Sequence, residues 1–146
     1  MNEEFYTLKG YKIKNEEILS SSMEDYIEMI YRLSEKSGEV RVNDLSQALN
    51  VQPPSTTKMI KRLASEGYVF YEKYGCIILT EKGRNIGDKL LKRHMIIFEF
   101  LECIGVKENI LEQTEIIEHA VNDEVLNKLY QLTIFLKNCN EWETSP

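Results

Sequence analysis

The chain has 146 residues, 42% of them hydrophobic and 29% charged, which suits a folded protein of one domain or two small ones and excludes a disordered segment. No apolar run approaches the ~20 residues of a membrane span, and the opening Met1-Asn2-Glu3-Glu4 lacks the basic and apolar parts of a signal peptide, so a cytoplasmic protein is expected. The formal net charge of −6 would argue against nucleic acid if it were evenly spread, but residues 52–93 carry net +5 between acidic ends of −4 and −7. A local anion-binding surface and a separate cation-binding region are therefore both expected. Cys76, Cys103 and Cys139 are odd in number and widely spaced, and read as reduced thiols with no zinc site or disulfide framework.

In chain order, residues 1–20 form an extension without an assignable role. Ser21 and Ser22 are N-cap candidates for a first helix to about Ser34, with Met23, Ile27, Ile30, Tyr31 and Ser34 as its inner stripe and Asp25 and Glu28 on its flank. Glu28 stands four residues before Arg32, the spacing of an exposed helical ion pair worth only a few tenths of a kcal/mol. A short helix follows with Val42, Leu45 and Leu49 on one side, and Pro53-Pro54 stops it and starts the next. That next helix, Ser55 to Glu66, buries Met59, Ile60 and Leu63. Its exposed N-terminus is expected to present Ser55, Thr56 and Thr57, and one face Lys58, Lys61 and Arg62. Those groups suit phosphates and base edges in a major groove.

Gly67 ends this helix, and Tyr68–Lys73 and Cys76–Leu79 read as a hairpin turning at Tyr74-Gly75, with Lys73 at the tip of a wing. Lys82 and Arg84 flank the same region. Thr80 caps a long helix from Glu81 to about Cys103, which carries His94 between Leu90 and Phe98. Two acidic helices complete the chain, about Lys107–Val121 and Asp123–Lys137. The second is too apolar, with Val125, Leu126, Leu129, Leu132, Ile134 and Phe135, for a small monomer to bury, so a two-fold homodimer is expected. The fold class is therefore mainly α: a winged helix-turn-helix DNA-binding domain (residues 21–80) followed by an all-helical metal-binding and dimerisation domain (residues 81–146).

Glu115-Ile116-Ile117-Glu118-His119 puts two carboxylates and an imidazole on one helical face, with Ile116 and Ile117 off that face to anchor the helix. Asp25, Glu28 and His94 are the other candidates to join them. Four carboxylates packed together would repel and push their pKa values up unless cations bridged them.

The segments Ser22–Tyr31, Thr57-Lys58-Met59, Tyr71–Tyr74, Leu79–Gly83 and Ile117-Glu118-His119 resemble the manganese-transport branch of the diphtheria-toxin-repressor-like, metal-activated repressors, over roughly residues 20–130. That resemblance implies Asp25, Glu28, His94, Glu115, Glu118 and His119 as ligands of Mn²⁺, with two ions per subunit expected. It also implies operator DNA as the partner of a homodimeric repressor of manganese-uptake genes. The iron branch has sulfur donors at the positions of Asp25 and Glu115, and the oxygen donors here favour Mn²⁺ independently. The alternatives are a regulator responding to iron(II) or a non-metal signal, and a binuclear metal hydrolase. The hydrolase would leave the basic winged helix unexplained, so no catalytic residues and no enzyme activity are expected.

Overall fold

The computed structural model describes residues 19–139, together with Phe5 and Thr7. Most of the expected N-terminal extension, and residues 140–146 of the expected second domain, therefore lie outside the described residues. Among the described residues the order is α1 (Ser21–Ser37), α2 (Val42–Leu49), α3 (Pro53–Ser65), β1 (Val69–Tyr71), β2 (Ile77–Leu79), α4 (Glu81–Cys103), α5 (Ile110–Glu118) and α6 (Asp123–Lys137). None of these helices is long and apolar enough to cross a membrane, and no disulfide joins the cysteines.

The cap of α1 is Ser20, one residue before the expected pair, its side chain accepting from the Met23 amide at 3.3 Å. The helix also runs a turn beyond Ser34. It stops where Gly38 takes φ +79° and donates its N–H to the Ser34 carbonyl. Met23, Ile27 and Ile30 are fully buried, as the apolar stripe requires, with Tyr26 beside them.

Helix α3 begins at Pro53, two residues earlier than expected, because two prolines in a first turn forfeit no hydrogen bond the helix needs. Thr56 is not exposed: it is fully buried on the stripe it shares with Ile60 and Leu63. Its hydroxyl is hydrogen-bonded to that of Ser46 at 2.8 Å, and Ser46 donates onward to the Val42 carbonyl. The expectation that Thr56 faces DNA is therefore corrected. This buried pair fixes α3 against α2.

The hairpin is shorter than its sequence pattern, pairing Val69 with Leu79, Phe70 with Ile78 and Tyr71 with Ile77, and Val40 adds a bridge to Ile77. Alternation sends Val69, Ile77 and Leu79 into the core and leaves Phe70 and Ile78 outside. Thr80 then caps α4, accepting from the Gly83 amide and donating to the Gly67 carbonyl.

Helix α4, 23 residues or about 34 Å long, is the spine against which α1, α5 and α6 all pack. Its first half shares the core with α1 through Leu90, and Gly87 gives room for the Tyr31 ring. Its second half carries Ile97 and Leu101 inward. Helix α5 is shorter than expected at both ends, starting after the left-handed Asn109 and ending at Glu118. Ile116 does not anchor it; that side chain is 58% exposed, and the buried face is formed by Thr114 and Glu118. Thr114 tolerates burial because its hydroxyl donates to the Ile110 carbonyl at 2.7 Å. Helix α6 leaves Val125, Tyr130, Leu132, Ile134 and Phe135 exposed and buries only Thr133 fully. Exposed apolar side chains in that number on one helix are characteristic of an interaction surface.

Candidate metal centre

Three helices bring six donors together. Asp25 and Glu28, one turn apart, come from α1; His94 comes from the middle of α4; Glu115 and Glu118 come from the last turn of α5. His119 is the residue just past α5 rather than part of it. Its backbone stays in the right-handed helical region (φ −83°, ψ −8°), so its ring still follows the direction set by Glu115 and Glu118.

These donors form two overlapping groups, each with one ligand atom per residue within 4.8 Å of the others. One comprises Asp25, Glu115, Glu118 and His119; the other comprises Glu28, His94, Glu115 and Glu118. His119 Nε2 is 2.7 Å from Asp25 Oδ1 and 3.8 Å from Glu118 Oε1. His94 Nδ1 is 3.1 Å from Glu115 Oε1 and 3.3 Å from Glu118 Oε2. His94 Nδ1 and Glu118 Oε2 are nevertheless buried without a hydrogen bond, for want of the alignment one needs. Lone pairs converging on a common point without bonding one another are what a shared cation would satisfy.

Electrostatics agree with the geometry. Burial, reinforced by Glu118, pushes the Glu28 carboxyl above its ordinary range despite the nearby Arg32. Burial, a hydrogen bond with Glu118 and its charge raise Glu115 to about 7. The Asp25 carboxylate, then Glu24, lifts His119 to about 10, and contact with Glu118 raises His94 against the opposing effect of burial. The folded protein without a cation therefore holds protons where a cation would sit.

Two consequences follow for pH. Glu115 binds an extra proton in the folded state between about pH 4.5 and 7, so its contribution to metal-free stability declines as pH rises through that window. His119 contributes stability that is fully present below its ordinary 6.5 and lost as pH climbs through about 10. Imidazole must be neutral to ligate, so divalent-ion binding at pH 7 is expected to release about one to two protons per subunit and to tighten from pH 6 to 8. Calorimetric titration with Mn²⁺ in two buffers of different ionisation enthalpy measures this; equal heats in both would contradict it.

Sequence reasoning missed Glu24 and Arg93 beside these donors, and the expected Glu28–Arg32 ion pair forms but is less exposed than anticipated. Glu24 Oε1 approaches His119 Nδ1 at 3.6 Å, on the ring edge opposite Asp25. Arg93, on α4, donates to the Glu118 carbonyl at 3.1 Å and to Asp123 at 3.3 Å, and lies 3.9 Å from Glu24, tying α1 to the end of α5. Arg32 is drawn onto Glu28 at 3.1 Å. Glu24 and Arg93 had no signal in helical periodicity, because their contacts join distant parts of the chain.

A second, basic site lies in the winged helix. Arg41, Thr57, Lys61, Lys73 and Tyr74 line a groove of about 430 Å³ between the start of α2, α3 and the wing. Ser55, Lys58, Lys61 and Arg62 are exposed and Thr57 is half-buried, so five of the six candidates on α3 face outward at least in part. Arg62 is paired with Glu66 at 3.1 Å. Lys73 lies over the Tyr74 ring at 5.0 Å. Arg41, not anticipated, donates to the Tyr74 carbonyl. Lys82 and Arg84 are engaged within the protein, Lys82 with the Tyr68 ring and the Glu66 carbonyl, and Arg84 with Glu35.

Comparison with known proteins gives the same division of the chain. Residues 18–77 match the family model described as the iron dependent repressor, N-terminal DNA binding domain, and residues 80–146 match its metal binding and dimerisation domain. The chain belongs to the iron-dependent repressor family. It is 45% identical over 118 residues to the HTH-type transcriptional regulator MntR of Oceanobacillus iheyensis, covering 80% of each chain. Among solved structures, it resembles that of the manganese regulator SloR, with 29% identity, a TM-score of 0.68 and 77% of this chain covered. It also resembles a manganese-dependent transcriptional repressor in complex with manganese, with 25% identity, a TM-score of 0.71 and 77% coverage. The chain spans about half the length of those two structures, 54% and 53%. Membership of the iron-dependent repressors makes this a DNA-binding, metal-dependent, dimerising regulator and not an enzyme. The exposed apolar side chains of α6 belong to the segment that matches the dimerisation domain.

Proposed function

We propose that the chain is a Mn²⁺-activated repressor that binds operator DNA as a homodimer and controls manganese uptake. The observation that carries this reading is the convergence of donors from α1, within the DNA-binding lobe, with donors from α4 and α5. When bound, a divalent ion supplies the positive charge that four carboxylates lack. Asp25, Glu28, Glu115, Glu118, His94 and His119 would hold it, with two ions per subunit the number that the overlapping groups favour. The donors are carboxylate oxygen and imidazole nitrogen with no sulfur, a set that suits Mn²⁺ better than softer metals. The manganese-dependent relatives support the same choice within a family named for iron.

The chain's own residues explain how that charge reaches DNA. Asp25 and Glu28 project from the helix whose other face buries Met23, Ile27 and Ile30, so α1 cannot shift toward α5 without carrying the DNA-binding core along. Drawing these carboxylates toward Glu115 and Glu118 fixes the lobes against each other, and with them the spacing of two recognition helices, about 34 Å per DNA turn. Without that restraint, carboxylate repulsion spreads the population, and DNA affinity falls with the competent fraction. By reciprocity, DNA tightens Mn²⁺ binding. Ser55, Thr57, Lys58, Lys61, Arg62 and Lys73 are the proposed DNA contacts.

The test selects duplexes from a random-sequence library in Mn²⁺, then measures binding by fluorescence anisotropy. Affinity for the selected duplex is expected to drop at least ~100-fold in EDTA. Lys61→Ala and Lys73→Ala are each expected to reduce the slope of log affinity against log salt by about 1. Equal affinity with Mn²⁺ and with EDTA would refute the reading.

A further inference from the structure

The two donor groups share Glu115 and Glu118 but differ in what else they contain, and one of them already holds a cation. Arg32 Nε donates to Glu28 Oε2 at 3.1 Å, whereas Glu28 belongs only to the group that includes His94. This is not the usual ion pair on a solvated helix face. The Glu28 side chain is 11% exposed and that of Arg32 35%, and Arg32 Nη2 is buried without a partner. The guanidinium lies in the same cleft as Asp25, Glu28, His94 and Glu115.

We propose that Arg32 serves as a built-in counter-ion for Glu28, which a divalent ion entering the Glu28–His94 half of the centre has to displace. The inference rests on the metal-centre reading above. Arg32 makes one hydrogen bond to Glu28 and leaves a buried donor unmet, so the group is held but not saturated, and departure costs it little. Its stem can stay against the protein while the head turns to water. A guanidinium cannot leave by losing a proton, so it must move bodily. Among the described residues, the carboxylates of the Asp25–His119 half are paired with histidine and not with arginine. Arg32 therefore sets a threshold on one half of the centre and not on the other. It also holds Glu28 in place when no ion is bound.

This predicts opposite signs for one substitution. Arg32→Met is expected to raise the affinity of one Mn²⁺ binding step about fivefold to tenfold, leaving the other within twofold. It is also expected to lower the melting temperature of the metal-free protein, because Glu28 loses its partner. Arg32→Lys should retain most of the native behaviour, and in a Glu28→Gln background Arg32→Met should no longer change Mn²⁺ affinity. Free Mn²⁺ is read from its six-line electron paramagnetic resonance signal, and melting is followed by circular dichroism. Weaker or unchanged Mn²⁺ binding by Arg32→Met would overturn the proposal, since an arginine that merely supports the fold lowers stability and affinity together. If the native chain takes up no Mn²⁺, the metal-centre reading falls and this inference with it. If the native chain binds and Arg32→Met binds identically, only the role of Arg32 falls.

Discussion

Glu118→Gln is expected to weaken Mn²⁺ binding at least ~100-fold and to abolish metal-dependent DNA retention, while leaving the metal-free protein folded. Glu118 belongs to both donor groups and is 2% exposed, so no neighbouring carboxylate can take its place. Even residues that only orient metal ligands are worth about 10-fold to 100-fold in affinity, and a shared ligand should exceed them. Glutamine keeps the shape and removes the charge. In the metal-free protein that removal has opposing effects: it relieves repulsion of Glu28 and Glu115 and takes a favourable partner from His94 and His119. Metal-free stability at pH 8 should therefore stay within about 1 kcal/mol of the native chain, since the two effects offset each other. Titration with Mn²⁺ and urea denaturation of the metal-free form read the two effects separately. A Glu118→Gln protein that binds Mn²⁺ within a few-fold of the native chain would place the centre elsewhere.

Gly83→Ala is expected to destabilise the protein by about 3 kcal/mol or more, enough to lower its melting temperature by roughly 10 °C. A β-carbon there would lie 2.0 Å from the Tyr68 carbonyl oxygen and 3.1 Å from Leu79. That carbonyl has little freedom to retreat, since it accepts from the Thr80 amide at 3.0 Å and has the Thr80 hydroxyl oxygen 3.1 Å away. The wing, the cap of α4 and the start of α4 meet at this point, so displacing one disturbs all three. Gly87→Ala is the comparison: the nearest atoms to its β-carbon would be the Tyr31 Cβ at 2.7 Å and two Tyr31 ring carbons at 2.9 Å. Overlap with these side-chain carbons is milder than the approach to a bonded carbonyl, and about 1–2 kcal/mol is expected. Urea denaturation ranks the two, and a Gly87→Ala loss larger than that of Gly83→Ala would contradict the argument.

Local chemistry made much of the fold legible from sequence. The Met23-Ile27-Ile30 stripe, the Thr80 cap and the Pro53-Pro54 start depend on neighbours within a turn, and pattern reading reaches that far. Thr56 marks the limit: it shares the spacing of Ile60 and Leu63, but a threonine looks exposed until its partner, Ser46, arrives from another helix. Ile116 failed for the converse reason. Glu118 is turned inward toward His94 from α4, which leaves the isoleucine two residues earlier on the outside. At the candidate metal centre the donor residue types, the Glu-x-x-Glu-His spacing and the Glu28–Arg32 pair were readable, whereas Arg93 and Glu24 acquire their roles only through contacts among α1, α4 and the end of α5.

The buried Thr56–Ser46 pair bears on how such a protein could change its DNA preference over generations. Support and contact alternate along α3 at single-residue spacing: Thr56, Ile60 and Leu63 hold the helix from within, while Ser55, Lys58, Lys61 and Arg62 face outward. Substitutions on the outer set leave the inner scaffold, and its attachment to α2, untouched. Under the proposed function, DNA preference would drift one outer residue at a time without disturbing that scaffold.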